Sequence, residues 1–258
     1  MALLELKNIS MNFGKLQAVA NLDLTVNQGE ILSLIGPNGA GKTTLFNVIT
    51  GNYRPAAGQV FFKGEDITRL SPHRIAQRGI ARSFQQTYLF QWSTVLENVM
   101  IGCHMNCRAG ALKEFLHTDS ARKADRRARQ EALEIIEFMG LVECRNSLAG
   151  SLPHGYQRAL GVSIALACRP ALLLLDEPAT GMNPTETAEM IERIRKIRER
   201  GITIIIVEHS MKVVMGVSDR ITVLNFGHKI AEGLPDEIRQ NQQVIEAYLG
   251  SGKNKNVA

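Results

Sequence analysis

Two apolar patterns alternate along the chain. Short runs that alternate or stay apolar, LLELKNI, LDLTV, EILSLIG and QVFFKG, fill the first third, and Gly29, Gly36, Gly58 and Gly64 bound the last two; runs of this length with glycine at their ends predict strands. From Cys103 to Leu141 the composition shifts to Ala, Arg, Glu and Leu, with apolar residues at Ala128, Ala132, Ile135, Ile136 and Met139. That recurrence is the spacing of one helix face, and it predicts an inserted helical lobe. ALLLLDEP and ITIIIVEH then lose the alternation altogether, as strands of a parallel sheet do when both faces are covered. PTETAEMIERIRKIRERG, between them, predicts a helix: Asn183 caps it, Pro184 suits its first turn, Glu186 completes a capping box and Gly201 ends it. The result is a strand, helix, strand unit. Beyond it, ITVLNFGHKIAEG predicts a hairpin turning at Gly227, one helix is expected from roughly Pro235 to Leu249, and GSGKNKNVA reads as a fraying polar tail. No internal repeat or low-complexity segment stands out.

Composition narrows the class without naming a function. With 45% hydrophobic and 21% charged residues in 258, the chain has enough apolar material for a substantial core. Its formal charge of +5 suits an anionic partner but is too small an excess to choose one. MALLELKNISMNF has Glu5 and Lys7 inside its apolar stretch and no small-residue cleavage site after it, so a cytoplasmic chain is expected. No run of about 18 apolar residues occurs, and any membrane association is expected to be peripheral. The four cysteines, at 103, 107, 144 and 168, fit a reducing compartment. CHMNC has no second close pair to complete a zinc site, so these thiols read as structural.

Chemistry enters with GPNGAGKTT. Gly36, Pro37, Asn38, Gly39, Ala40, Gly41, Lys42, Thr43 and Thr44 match G-x-x-x-x-G-K-T between the apolar strand ILSLI and the helix-like LFNVIT. In this context the glycines let backbone N–H groups face a β-phosphate, and the helix N-terminus adds its positive dipole end. Lys42 bridges β- and γ-phosphates, and the Thr43 hydroxyl is placed for magnesium. LLLLDEP supplies the counterpart. Asp176, at the end of a buried strand, holds Mg2+ directly or through water, and Glu177 beside it polarises an attacking water. VEHS sets His209 beyond another strand on the same sheet edge, within reach of a γ-phosphate.

Taken in order, GPNGAGKTT, SFQQTYLF, SLPHGYQRAL, LLLLDEPATGMN and VEH resemble the ATP-binding subunit of ATP-binding cassette transporters over nearly the whole chain. The resemblance implies a P-loop NTPase of the α/β class, with a parallel core sheet, an antiparallel β subdomain and a helical subdomain inserted at about 98–165. Residues 1–250 would form a single ATP-binding domain and 251–258 a flexible tail. By the family pattern Phe13 stacks on adenine, Gln85 senses magnesium and the membrane subunit, Glu177 is the catalytic base and His209 the switch histidine; Lys42 joins these catalytic groups. Gln86 adjoins Gln85, but Gln85 gives the better match because Q-x-x-x-L-F then ends at Leu89 and Phe90. Within the superfamily, ATGMNP after the acidic pair, the long helical insertion and the ending IAEGLPDEIRQNQQVIEAYLG look like the ATPases of branched-chain amino acid importers. Relatives that serve urea, amides or lipopolysaccharide export share much of that pattern.

The resemblance also implies partners: a second ATP-binding subunit, identical or related, closing head to tail; permease subunits docking a cytoplasmic helix near Gln85 to Asn98; and, indirectly, a periplasmic or extracellular substrate-binding protein. The chain would sit on the cytoplasmic side of the inner membrane. Arg122, Lys123, Arg126, Arg127 and Arg129 either face headgroups or the permease or form a solvated face. A nucleic-acid motor would need a long coiled coil that Thr44 to Leu152 lacks, so no nucleic-acid partner is expected. A non-hydrolysing regulatory cassette stays as the alternative to an ATPase. LPHGY bears on it: aligned on Leu152 and Gly155, it keeps the second glycine of L-S-G-G-Q but puts Pro153, His154 and Tyr156 where Ser, Gly and Gln stand. Pro153 offers neither a hydroxyl nor an N–H to the partner's γ-phosphate. Gly155 and a helix beginning near Tyr156 remain to bind it.

Overall fold

The structure is a computed structural model describing residues 1–83, 89–105 and 119–253. Two sheets and a helical lobe make it up. Ala2–Phe13 (β1), Leu16–Asn27 (β2), Ala57–Phe62 (β4) and Glu65–Asp66 (β5) form an antiparallel sheet in the order β2-β1-β4-β5. Ile31–Ile35 (β3), Ile80–Arg82 (β6), Leu172–Asp176 (β7), Thr203–Val207 (β8), Arg220–Asn225 (β9) and His228–Gly233 (β10) form the second, ordered β10-β9-β3-β8-β7-β6. All its neighbours run parallel except the β9–β10 hairpin at one edge. Every residue of β3, β7 and β8 is buried. That burial explains the unbroken apolar runs, each fully covered Leu or Ile contributing about 1.5–3 kcal/mol.

Helices cover the second sheet. Lys42–Ile49 (α1) follows the phosphate loop and Pro72–Gln77 (α2) precedes β6; Val95–Met105 (α3), Asp119–Phe138 (α4) and His154–Ala167 (α5) make the lobe. Ala128, Ala132, Ile135, Ile136 and Met139 are all buried there, in one core cluster with Val99, Leu160 and Leu175. Arg122, Lys123, Arg126, Arg127 and Arg129 are exposed on α4. Pro184–Glu199 (α6) carries the expected capping box: Asn183 Oδ1 accepts from the backbone N–H groups of Thr185 at 2.9 Å and Glu186 at 3.0 Å, while Glu186 Oε2 accepts from Asn183 N–H at 2.9 Å. Met211–Val217 (α7) leads into β9.

Two sequence expectations need correction. The C-terminal helix is broken into Pro235–Gln240 (α8) and Gln242–Lys253 (α9). Asn241 is extended at φ −72°, ψ 118°, and its Oδ1 accepts from Gln243 N–H at 2.9 Å and Val244 N–H at 3.2 Å, capping a new helix and interrupting the old one. The helix after LPHGY begins at His154, not near Tyr156: Pro153 is its N-cap, and the first helical bond runs from Gln157 N–H to Pro153 O at 3.0 Å. Cys103 is buried, and Cys144 and Cys168 are half-buried. No helix among the described residues is long and apolar enough to cross a membrane.

Candidate functional site

β3 delivers the chain into a loop that only glycine can make. Gly36 has φ 149° and a Cβ there would lie 2.1 Å from Leu224 O; Gly41 has φ 103° and its Cβ would lie 2.4 Å from Ala18 O. Any side chain at either point would collide with backbone, so the loop is pressed between β2 and β9. Gly227 N–H donates to Ala40 O at 3.1 Å and pins it further. Lys42, 7% exposed, folds back to donate to Gly36 O at 2.6 Å and Pro37 O at 3.0 Å. Burial pushes its amine down, and Glu177 and Asp176 partly offset that.

A cleft of about 440 Å3 lies over this loop, lined by Phe13, Leu16, Ala18, Asn38 to Thr44, Glu177, His209 and Phe226 among others. Phe13 is half-exposed, its ring edge-on to Tyr53 with centroids 5.3 Å apart at 76°. Glu177 closes the far end. Its backbone is left-handed, φ 49°, a strained geometry for a non-glycine residue that tends to persist where function demands it. Its N–H donates to Val207 O at 2.8 Å. One carboxylate oxygen lies 2.7 Å from His209 Nε2, and the other accepts from the Thr180 hydroxyl at 3.3 Å.

Phe13, Asn38 to Thr44, Glu177 and His209 therefore meet in one cleft, with Gly36 and Pro37 beneath it. Asp176, 6% exposed, lies behind: its Oδ2 accepts from Arg82 Nη2 at 2.5 Å, and Arg82 Nη1 donates to Asn47 Oδ1 at 2.8 Å. Gly155 does not reach this cleft. It opens α5, where a Cβ would lie 2.9 Å from the Glu186 carboxyl. Gln85 lies outside the described residues.

Two charged residues at the site escaped the sequence reading. Arg82 neutralises Asp176 from the neighbouring strand. Glu208, 2% exposed, accepts from Ala179 N–H at 2.9 Å through Oε1, and from His209 N–H at 3.1 Å and Ser210 N–H at 3.4 Å through Oε2. Burial pushes its carboxyl up, the three N–H groups pull it down, and the Glu177 charge raises it further. The only signal for Glu208 was an acidic residue in an otherwise apolar strand end, next to the histidine.

A glycine-built phosphate loop, a carboxylate at the end of β7, two strands away from β3 in the same sheet, and a carboxylate–histidine pair across the cleft define a nucleotide-binding P-loop protein. Comparison with known proteins makes this specific. The ABC transporter family model matches residues 19–180, and the model of the branched-chain amino acid ATP-binding cassette transporter matches 228–254; the chain belongs to the ABC transporter family. It is 42% identical, over 96% of its length and 98% of the relative's, to the high-affinity branched-chain amino acid transport ATP-binding protein BraF of Pseudomonas aeruginosa. The solved ADP conformation of MJ1267, an ATP-binding cassette of an ABC transporter, superposes with a TM-score of 0.85 at 31% identity, covering 97% of this chain and 99% of that one. A dimeric post-hydrolysis structure of the cassette MJ0796 bound to ADP and Pi gives 0.77 at 25%, covering 90% and 98%.

Proposed function

We propose that this chain is the ATP-hydrolysing subunit of a branched-chain amino acid importer, peripheral on the cytoplasmic face of the membrane. The observation that carries it is the meeting of the phosphate loop, Glu177 and His209 in a single cleft. Phe13 stacks on adenine. The N–H groups of the loop and the start of α1 take the phosphates, and Lys42 leaves Gly36 O and Pro37 O for the β- and γ-phosphate oxygens. Thr43 and Asp176, with Gln85, are the groups for Mg2+, which supplies charge neutralisation of the phosphates when bound. Glu177 accepts the proton of the attacking water. His209, already hydrogen-bonded to that carboxylate, orients it and contacts the γ-phosphate.

A second ATP-binding subunit completes the site by presenting the start of its α5, with Gly155, to the phosphates; the dimeric likeness of MJ0796 supports this arrangement. An apolar groove between α2 and α5, about 320 Å3 and lined by Ile75, Ala76, Ala81, Leu89 and Ile164 among others, suits a cytoplasmic permease helix. Exposed Phe90 and Trp92 stand on the segment leading into α3. The amino acid class follows from likeness to BraF.

The test pairs Glu177→Gln with the wild type in a bacterial strain lacking its own importer ATPase but carrying the cognate permeases. Wild type is expected to restore leucine uptake. The variant is expected to fail in uptake and phosphate release while still forming ATP-dependent dimers. Full turnover by the variant refutes the role of Glu177, and wild-type ATPase activity without uptake refutes the substrate class.

A further inference from the structure

Phe226 occupies a position that folding alone does not favour. It is 82% exposed, and it is the first of two residues, Phe226 at φ 45° and Gly227 at φ 80°, that join β9 to β10. A two-residue hairpin with both φ values positive is the type I′ turn, whose first position favours Asn, Asp or Gly. A phenylalanine there accepts a strained backbone and leaves a large apolar ring in solvent, two costs that nothing in the hairpin offsets.

The turn is nonetheless held firmly, and at the nucleotide cleft. Gly227 N–H donates to Ala40 O in the phosphate loop at 3.1 Å, and Gly227 O accepts from Ala20 N–H on β2 at 2.9 Å. A Cβ on Gly227 would come within 2.9 Å of Ala18 O. Wedged between the loop and β2, the turn carries the Phe226 ring to the wall of the cleft that Phe13, Leu16 and Lys42 also line. Two exposed aromatic rings on separate hairpins thus border the space above one phosphate loop. Phosphates held by the loop would leave the nucleoside in the cleft that both residues line.

We propose that Phe226 is a nucleoside-binding residue: its ring packs against the purine nucleoside from the β9–β10 side while Phe13 takes it from the β1–β2 side. The ligand class is a purine nucleoside triphosphate, and the inference rests on the nucleotide reading of the cleft. Contact with a planar base also explains why an aromatic ring, rather than the Asn or Gly the turn prefers, occupies the site.

The test is equilibrium binding by the full chain, with ATP and inorganic tripolyphosphate as separate probes. Phe226→Ala is expected to raise the Kd for ATP about five- to tenfold, the lower end for loss of one base–aromatic contact because the ring is so exposed. The Kd for tripolyphosphate, which has no nucleoside, is expected to stay the same, and Phe226→Tyr should retain ATP affinity. Phe226→Asn, which suits the left-handed turn, should raise Tm while weakening ATP binding as Ala does. Unchanged ATP affinity in Phe226→Ala overturns the inference, as does an equal loss for both probes, which would mean that the hairpin acts only by shaping the phosphate loop. Failure of the wild type to bind ATP at all would instead overturn the nucleotide reading.

Discussion

Replacing Glu208 by Gln should separate the chemistry of this site from its nucleotide binding. The carboxylate is almost fully buried, has no salt bridge among the described residues, and is satisfied by three backbone N–H groups, those of Ala179, His209 and Ser210. It thereby ties the segment after Glu177 to the segment that carries His209, from behind the 2.7 Å pair those two residues make. Glutamine has one acceptor oxygen. It can serve Ala179 or the His209–Ser210 pair, and its NH2 group then faces a donor on the other side. A charge-assisted hydrogen bond of this kind contributes about 1.5–3 kcal/mol, so loss of one side should lower Tm by about 3–5 °C for a chain of this size. If half of that energy had held Glu177 and His209 in register, turnover falls about four- to twelvefold. The Kd for ATP should move much less than turnover, because the phosphate loop and Phe13, which hold most of the nucleotide, belong to other strands.

Phosphate release at saturating ATP, ATP titration and thermal melting read the three quantities. A Tm loss with turnover within twofold of the wild type would refute the positioning role and leave Glu208 as a structural residue. The pH dependence gives an independent sign. Burial raises the folded-state carboxyl above its ordinary value, so the folded protein keeps this proton to higher pH than the unfolded chain does. The corresponding stability is fully present below the unfolded value of about 4.3 and is lost as pH rises through the folded one. The glutamine variant has no such proton. The Tm of the wild type minus that of the variant should therefore shrink as pH rises through this window, and a widening gap would show the opposite linkage.

Two further outcomes follow from the lobe and its junction. Pro153 caps α5 with no side-chain hydrogen bond, so Pro153→Ser should stabilise the helix by about 0.5–1 kcal/mol, read as a small rise in Tm; combined with Tyr156→Gln it should raise ATP turnover, and no rise would mean that the first-turn N–H groups of α5 already suffice. The Arg200 guanidinium sits 3.4 Å from the centroid of Phe138, joining the end of α6 to that of α4, and Arg200→Ala should cost about 1 kcal/mol and speed amide exchange in α4 without changing the Kd for ATP; unchanged exchange would show that the contact carries no load.

The sequence makes the phosphate loop and the central strands visible because both are local: six residues fix the loop, and an unbroken apolar run needs no partner to be recognised. What it hides depends on neighbours. Arg82 matters because β6 pairs with β7, bringing its guanidinium to Asp176; nothing in IARSF states that pairing. Glu208 reaches Ala179 only because β8 lies beside β7, 29 residues apart in sequence. Asn241 looked like one polar position in a helix because its competing use, capping the next helix with its own side chain, costs no change of composition. Phe226 reads from the sequence as part of a turn at Gly227, because glycine is the residue with the strong turn preference there.

Gly155 shows how two demands fall on one residue. Its place in LPHGY suggests close approach to a partner's phosphate, yet within this chain a Cβ there would already lie 2.9 Å from the carboxyl of Glu186. That carboxyl belongs to the capping box of α6, where it accepts from Asn183 N–H. The starts of α5 and α6 are thus packed together with a carboxylate between them, and a Cβ at position 155 would have to displace that carboxylate whether or not a nucleotide ever arrives. In the proposed dimer the same α5 start must also receive an anionic γ-phosphate. The Glu186 charge opposes that approach, and its hydrogen bond to Asn183 N–H is what keeps the carboxylate turned toward its own helix. Retention of Gly155 while Ser and Gln are lost is therefore a weaker sign of an intact phosphate contact than the motif suggests, since packing against Glu186 already favours a residue without a Cβ. That contact depends on the first-turn N–H groups of α5, and this is why the turnover of the Pro153→Ser, Tyr156→Gln variant, rather than the presence of Gly155, measures what the segment does.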